Sequence, residues 1–259
     1  REHTGMVLST TINKYCYATL VKRDDKKIRI LSNDLKMEEE LDYVSSISYN
    51  GNLDLIKAVI KTMGTRFGFD LFLQSDVQPG TGMGSSASMA IAVAGAINYF
   101  QENRFDAYKL VEIAYKAERE ELGINGGWQD QFAAVFGGFN FIEFTKERSI
   151  VYPLRIKKEV LNELKSNLLL CYTGKRHFSG DIHKEQKITY LNNKDDILPA
   201  LNKLKEITLK LKDALLLGKL VEFGDLLHSA WENKKRLDPR ITSSEIDNFY
   251  KIGLMNGAY

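Results

Sequence analysis

Pro79-Gly80-Thr81-Gly82-Met83-Gly84-Ser85-Ser86-Ala87-Ser88 is the stretch on which the reading of this chain turns. Before it, Phe69-Asp-Leu-Phe-Leu-Gln-Ser75 has the aromatic and apolar content of a strand. After it, Met89-Ala-Ile-Ala-Val-Ala-Gly-Ala-Ile97 is apolar nearly all round, which predicts a buried helix. Glycines at alternate positions let the backbone approach a ligand closely and adopt positive φ. The hydroxyls of Ser85, Ser86 and Ser88 fall where the first N–H groups of a helix lack partners. A glycine loop that opens a helix is an anion site, and phosphate is the commonest biological anion found there.

Neither common phosphate loop fits. A Walker A loop requires GxxxxGK[ST], and no lysine occurs from Pro79 to Phe100. A dinucleotide fingerprint requires GxGxxG, yet the residue three after Gly82 is Ser85. The acidic residue it needs about 20 positions on, ending a second parallel strand, is approached only by Glu102, which directly follows a helix.

Outward from the loop, Met6–Asn13, Tyr15–Val21 and Lys26–Leu31 read as strands. Leu53, Leu55, Ile56, Val59 and Ile60 recur at helical spacing and predict a helix over Leu53–Thr62. Ala107–Glu121 predicts an amphipathic helix, and Trp128–Phe136 a second one closed by Gly137-Gly138. Phe139–Phe144 alternates strictly, as a half-buried strand does. Leu168-Leu-Leu-Cys-Tyr-Thr173 predicts a buried strand, while Leu198–Leu217 and Val221–Lys235 predict helices whose leucine stripes pack a core. The character of the chain changes near Lys146, so a domain boundary is expected around residues 146–160.

The chain has 259 residues, enough for one large domain or two ordinary ones. Such a chain buries roughly 70–75% of its unfolded surface and needs no covalent staples. Thirty-six Lys+Arg against 34 Asp+Glu leave +2, which argues against a dedicated nucleic-acid binder. Met89–Ile97 falls far short of the roughly 18 apolar residues of a membrane helix. With no secretory signal in view, a cytoplasmic protein with neither nucleic acid nor membrane as partner is expected. Cys16 and Cys171 are too isolated for a disulfide scaffold or a thiolate zinc site. His177, His183 and His228 are not spaced as metal ligands, and Trp231 reads as an anchor of the last helical region.

A phosphate loop without lysine needs help. A helix N-terminus supplies about half a positive charge, whereas a nucleoside triphosphate carries several negative ones. A divalent metal must do most of the neutralising, and magnesium takes carboxylate, hydroxyl, phosphate and water oxygens. Phosphoryl transfer also needs a group to orient or deprotonate the attacking hydroxyl. Two carboxylates stand out: Glu118 in Ala117-Glu-Arg-Glu120, and Asp130 in Gly126-Gly-Trp-Gln-Asp-Gln131. Each has a plainer reading, Glu118 as a solvated helix residue and Asp130 as a helix N-cap after the glycines.

The ten residues Pro79–Ser88, with this glycine and serine spacing, resemble the central phosphate-binding motif of the GHMP kinases, the family of galactokinase, homoserine kinase, mevalonate kinase and phosphomevalonate kinase. The resemblance implies that Pro79, Gly80, Thr81, Gly82, Met83, Gly84, Ser85 and Ser86 bind ATP. In that family an acidic residue on the helix after the loop helps hold Mg2+, and an aspartate in a Gly-x-x-Asp-Gln-like turn faces the substrate hydroxyl. Carried onto the matching positions, Glu118 is the magnesium ligand, Asp130 the catalytic residue, and Ser86 rather than Ser85 the second metal contact. Arg1–Tyr15, Gln129–Phe144, Tyr172–Arg176 and His228–Lys235 are similar to segments of the D-glycero-D-manno-heptose 7-phosphate kinases within the family. Those kinases phosphorylate the anomeric hydroxyl of a heptose phosphate, using ATP and magnesium, on the route to nucleotide-activated heptose for bacterial surface polysaccharide. A threonine followed shortly by an arginine near the active site recurs in several of the family. Thr173 and Arg176 are therefore the implied sugar-phosphate contacts, arginine being suited to hold a phosphate bidentately. Their plainer reading is a strand-end threonine and a surface arginine.

The fold so implied is α+β. Residues 1–150 would form an ATP-binding domain resembling ribosomal protein S5 domain 2, and residues 151–259 a ferredoxin-like domain. The implied partner is a small-molecule sugar phosphate, with a homodimer left open. The family's first motif, a Pro-x-Arg strand with a glycine-rich turn, does not precede Arg1, and its third, a glycine-rich loop, does not follow Tyr259, so a chain shortened at both ends is expected. The alternatives are another small-molecule kinase of the fucokinase or phosphomevalonate kinase type, and a non-catalytic sensor of sugar and nucleotide. The presence of both Glu118 and Asp130 argues against the sensor.

Overall fold

The computed structural model describes residues 4–102, 104–174, 194–237 and 241–259, which form two compact units. One is the stretch Thr11–Gly137; the other takes in Thr4–Thr10 and the described residues from Gly138 onward. The first strand, β1 (Gly5–Thr10), therefore belongs to the later unit.

The Thr11–Gly137 unit is built on a four-stranded mixed sheet in the order β2 (Cys16–Lys22), β5 (Phe69–Ser75), β3 (Ile28–Ser32), β4 (Met37–Leu41). β5 runs antiparallel to β2 and parallel to β3. The register sets Ile28 beside Phe69 and Ile30 beside Leu71, and all four side chains are fully buried. Helices α1 (Asp54–Met63) and α2 (Ser85–Phe100) extend this core through Val59, Ile60, Val93 and Ile97. Each such side chain contributes about 1.5–3 kcal/mol by leaving water, so apolar burial dominates the stability of the unit. α2 is the expected apolar helix, and it packs against β2, α1, α3 (Ala107–Tyr115) and α4 (Gln129–Phe136).

After Tyr115 the chain departs from expectation. The helix predicted to continue to Glu121 changes to π-helical register over Lys116–Glu121. Such wider turns occur mostly as single insertions and concentrate at functional sites. The outer side of the turn is fastened from two places: Tyr49 Oη, in the loop ahead of α1, donates to Glu121 Oε1 at 2.8 Å, and Lys61 of α1 pairs with the same carboxylate.

The other unit holds a three-stranded antiparallel sheet, β1–β6 (Phe139–Phe144)–β7 (Ser149–Pro153). Its helices are α5 (Lys158–Asn167), α6 (Lys194–Leu217), α7 (Leu220–Leu237) and α8 (Ser244–Met255). Ile207, Leu211, Ala214 and Leu215 of α6 are buried. Lys212 Nζ lies 5.0 Å from the centroid of the Phe141 ring. Here the expectations need correction. The units divide after Gly137, ahead of residues 146–160, because β6 pairs with β1 and β7 and not with the four-stranded sheet. Leu168–Thr173 is not a buried strand: Leu169 is 95% exposed and Leu170 78%. Among the described residues no neighbouring strand supplies it with ladder partners, and an apolar run without a partner does not make a sheet. Sheet and helix occur together in both units, the α+β class expected, and the described residues after Pro153 contain no strand. No helix among the described residues is long and apolar enough to cross a membrane.

Candidate active site

Gly80, Gly82 and Gly84 adopt φ of +80°, +75° and +69°. An L-residue takes such a left-handed conformation at a cost of about 1–2 kcal/mol, which accounts for the alternate glycine spacing. Gly84 is itself the N-cap of α2, and no side chain caps that end. The Ser86 hydroxyl turns elsewhere, its Oγ donating to Glu118 Oε1 at 3.2 Å. The opening N–H groups of α2 thus face the loop without a capping side chain, as an anion site requires.

Glu118 is not a solvated helix residue. It is 4% exposed, on the inner side of the π turn. Besides the Ser86 hydroxyl on Oε1, its Oε2 accepts from Gln131 Nε2 at 2.7 Å and lies 3.3 Å from Arg119 Nη2. Gln131 is fully buried, and its Oε1 has no partner among the described residues. Carboxylate and hydroxyl oxygens brought together in this way suit a hard cation. Among the described residues no three His, Cys, Asp or Glu side chains gather as a metal cage. A cation held by Glu118 and Ser86 would take its remaining ligands from substrate and water, which is the habit of magnesium.

Asp130 is not a helix cap. It is the second residue of α4, whose N-cap position is Trp128. The Trp128 ring stacks on Tyr115 at 3.6 Å and 7°, which fixes the start of α4 against the end of α3. Asp130 is exposed and rests against the loop: a Cβ built on Gly84 would stand 3.6 Å from Asp130 Cγ and 3.8 Å from Oδ1. The loop, the buried carboxylate and the exposed one therefore form a single constellation within one unit.

A cleft of about 220 Å³ opens beside the loop. Pro79, Ser85 and Ser86 form its loop side, and Leu53, Leu73 and Met89 contribute apolar wall. Leu53 holds φ at +50°, a strained value for a branched side chain. Next to it the Asp54 carboxylate accepts from the N–H groups of Asn50 and Gly51 and pairs with buried Lys57 at 2.9 Å. Half-buried Cys16 also lines the cleft, and burial pushes its thiol pKa upward. Sequence reasoning missed this cleft because its residues come from separate elements, and it missed Arg119 and Gln131 as partners of Glu118. Thr173 is exposed and belongs to the other unit. Arg176, with His177 and His183, lies outside the described residues. His228 Nδ1 is 2.5 Å from Tyr250 Oη, a structural pairing.

Residues 53–138 match the GHMP kinases N terminal domain. Over 264 aligned residues the chain is 34% identical to the D-glycero-alpha-D-manno-heptose 7-phosphate kinase of Campylobacter jejuni subsp. jejuni serotype O:2, covering 100% of this chain and 77% of that protein. It is 26% identical to the galactokinase of Pyrococcus furiosus, covering 100% of this chain and 80% of the relative. Among solved structures, a D-glycero-D-manno-heptose 1-phosphate kinase from Bacteroides thetaiotaomicron superposes with a TM-score of 0.77 at 30% identity, covering 90% of this chain and 72% of that one.

Proposed function

The chain belongs to the GHMP kinases and is an ATP-dependent sugar kinase, and from that premise we propose that it transfers the γ-phosphoryl group of ATP to the anomeric hydroxyl of a heptose 7-phosphate, on the way to nucleotide-activated heptose. The observation that carries the chemistry is the placing of two carboxylates in opposite settings around one glycine loop. The loop and the N-terminus of α2 receive the phosphates. Glu118 and Ser86 hold magnesium, whose charge when bound offsets that of the phosphate oxygens. Asp130, exposed beside Gly84, orients the sugar hydroxyl and accepts its proton as the phosphoryl group leaves ATP. The cleft beyond Pro79 and Ser85 takes the nucleoside end. Thr173 and Arg176 are the proposed sugar-phosphate contacts, on the resemblance alone.

The test is a phosphoryl-transfer assay with ATP, Mg2+ and a panel of heptose 7-phosphate, free heptose, galactose and fucose, with 31P NMR locating the new phosphate. The expected product carries a second phosphate on the anomeric oxygen. Faster turnover of an unphosphorylated sugar would move the enzyme to the galactokinase or fucokinase type.

A further inference from the structure

Arg119 touches Glu118 and the turn that leads into α4, which carries Asp130. Its Nη2 lies 3.3 Å from Glu118 Oε2. Its Nη1 donates to the carbonyls of Ile124 at 3.2 Å and Asn125 at 3.1 Å. The Ile124 N–H in turn donates to the Glu118 carbonyl at 3.1 Å, so the turn is fastened to residues 118 and 119 from both sides. Five residues after Asn125 the chain reaches Asp130.

The packing around the guanidinium shows that the turn is shaped to receive it. A Cβ built on Gly126 would stand 2.4 Å from Arg119 Cζ and Nη2 and 2.7 Å from Nη1. Gly126 has no positive φ, so its glycine answers a close approach and not a backbone conformation. The Arg119 side chain is only 12% exposed, and its Nε is buried with no partner among the described residues. A guanidinium is a rigid planar fork that can serve a carboxylate and two carbonyls at once; a lysine ammonium is a point charge. A fixed positive charge beside a carboxylate also repels any cation that the carboxylate would hold.

Resting on the kinase reading above, we propose that Arg119 is a positioning residue: it ties Glu118 to the turn that delivers Asp130, and its charge weakens the grip of Glu118 on the divalent cation. Alignment of the catalytic aspartate is thus obtained at the expense of metal affinity. A purely structural arginine would give parallel losses on removal; this one gives effects of opposite sign.

The experiment combines Mn2+ titration by electron paramagnetic resonance, with ADP bound, and steady-state kinetics with ATP and heptose 7-phosphate. Arg119→Met should bind Mn2+ about threefold or more tightly, because the repelling charge is gone. Its kcat should fall about tenfold or more, because small misplacement of a catalytic group is costly, with sugar KM moved by less than about threefold. Arg119→Lys keeps the charge, so Mn2+ affinity should stay within about twofold of the parent while kcat falls as in the methionine variant. Weaker Mn2+ binding in Arg119→Met, or parental kcat in Arg119→Lys, overturns the assignment. If Arg119→Met does not fold, the lysine variant decides. If the parent protein transfers no phosphoryl group to any sugar of the panel, the kinase reading fails by itself, and the Mn2+ titrations with ADP still judge Arg119.

Discussion

The π turn and the first turn of α4 each present a carboxylate to the same glycine loop, and their surroundings have little in common. Glu118, on the π turn, is buried and touched by Ser86, Gln131 and Arg119. Asp130, on α4, is exposed, and among the described residues its carboxylate forms no hydrogen bond or ion pair. A buried carboxylate is costly to desolvate and persists only where donors or a cation compensate it. An exposed one with free lone pairs is available to an incoming hydroxyl. On the proposed reading, environment sorts two chemically similar groups into one that would hold a cation and one that would take a proton.

The most direct way to break this division is Asp130→Asn, which keeps shape but loses basicity. General-base contributions are typically about 100- to 10,000-fold, so kcat should fall within that range while calorimetry still finds ATP and sugar bound. Folding should change by less than about 1 kcal/mol, since only a first-turn acid and its helix-dipole interaction are lost. A variant retaining most of the parental single-turnover rate would return Asp130 to the role of a helix-end charge.

Glu118→Gln attacks the other side. Loss even of an outer partner of a bound metal typically costs about 10- to 100-fold in affinity, and loss of a ligand should raise the magnesium requirement at least that much. It also leaves the largely covered Arg119 without its counter-ion, so the melting temperature should drop; breaking a fully buried pair costs about 3–5 kcal/mol, which is the upper bound here. A magnesium titration that overlays the parent's would mean the cation is held elsewhere.

Two glycine substitutions sharpen the comparison at smaller amplitude. Gly82→Ala and Gly84→Ala impose similar left-handed strain, about 1–2 kcal/mol of stability each by denaturant unfolding. A Cβ at 82 meets nothing within 4 Å, whereas one at 84 meets the Asp130 side chain at 3.6 Å. Both should weaken nucleotide binding and leave kcat at saturating ATP close to the parent's, because a contact of 3.6 Å is ordinary van der Waals packing and leaves Asp130 in place. A kcat that fell in Gly84→Ala alone would show that Asp130 needs more room beside the loop than this contact leaves.

How much of this was legible depended on whether composition or pairing decided the local structure. The loop, α2 and the strand Phe69–Ser75 were legible because glycine spacing and apolar content specify them locally. β4 was not: Met37-Glu-Glu-Glu-Leu41 has poor strand propensity and becomes a strand through its neighbours, with Arg29 reaching Glu38 at 2.7 Å and Lys27 reaching Glu40 at 3.0 Å. The π turn was illegible because the same charged residues fit an α-helix equally well, and its packing against α1 is a tertiary contact that local sequence does not display. The burial of Glu118 was hidden for the same reason, since Ala-Glu-Arg-Glu reads as helix surface. Leu168–Thr173 failed in the opposite direction, its apolar content promising a ladder that no described strand completes.

The smallest effect tests whether the outer anchor of the π turn matters to its inner face. The Glu121 carboxyl is held below its ordinary value of 4.5, first by the Lys61 ammonium and then by the Tyr49 hydroxyl that donate to it. A group with a depressed folded pKa adds stability that is fully present above its unfolded value and lost as pH falls through the folded one. The parent should therefore melt slightly above Glu121→Gln at pH 7, keep that advantage down to about pH 4.5, and lose it as pH falls further through the depressed folded pKa. Screening limits the size of the difference, because both partners are partly exposed and salt weakens such pairs. The magnesium requirement of Glu121→Gln should match the parent's, because Ser86, Gln131 and Arg119 hold Glu118 independently of the outer face. A requirement that rose as far as in Glu118→Gln would show instead that the bond from α1 to the outside of the π turn sets the position of the carboxylate on its inside.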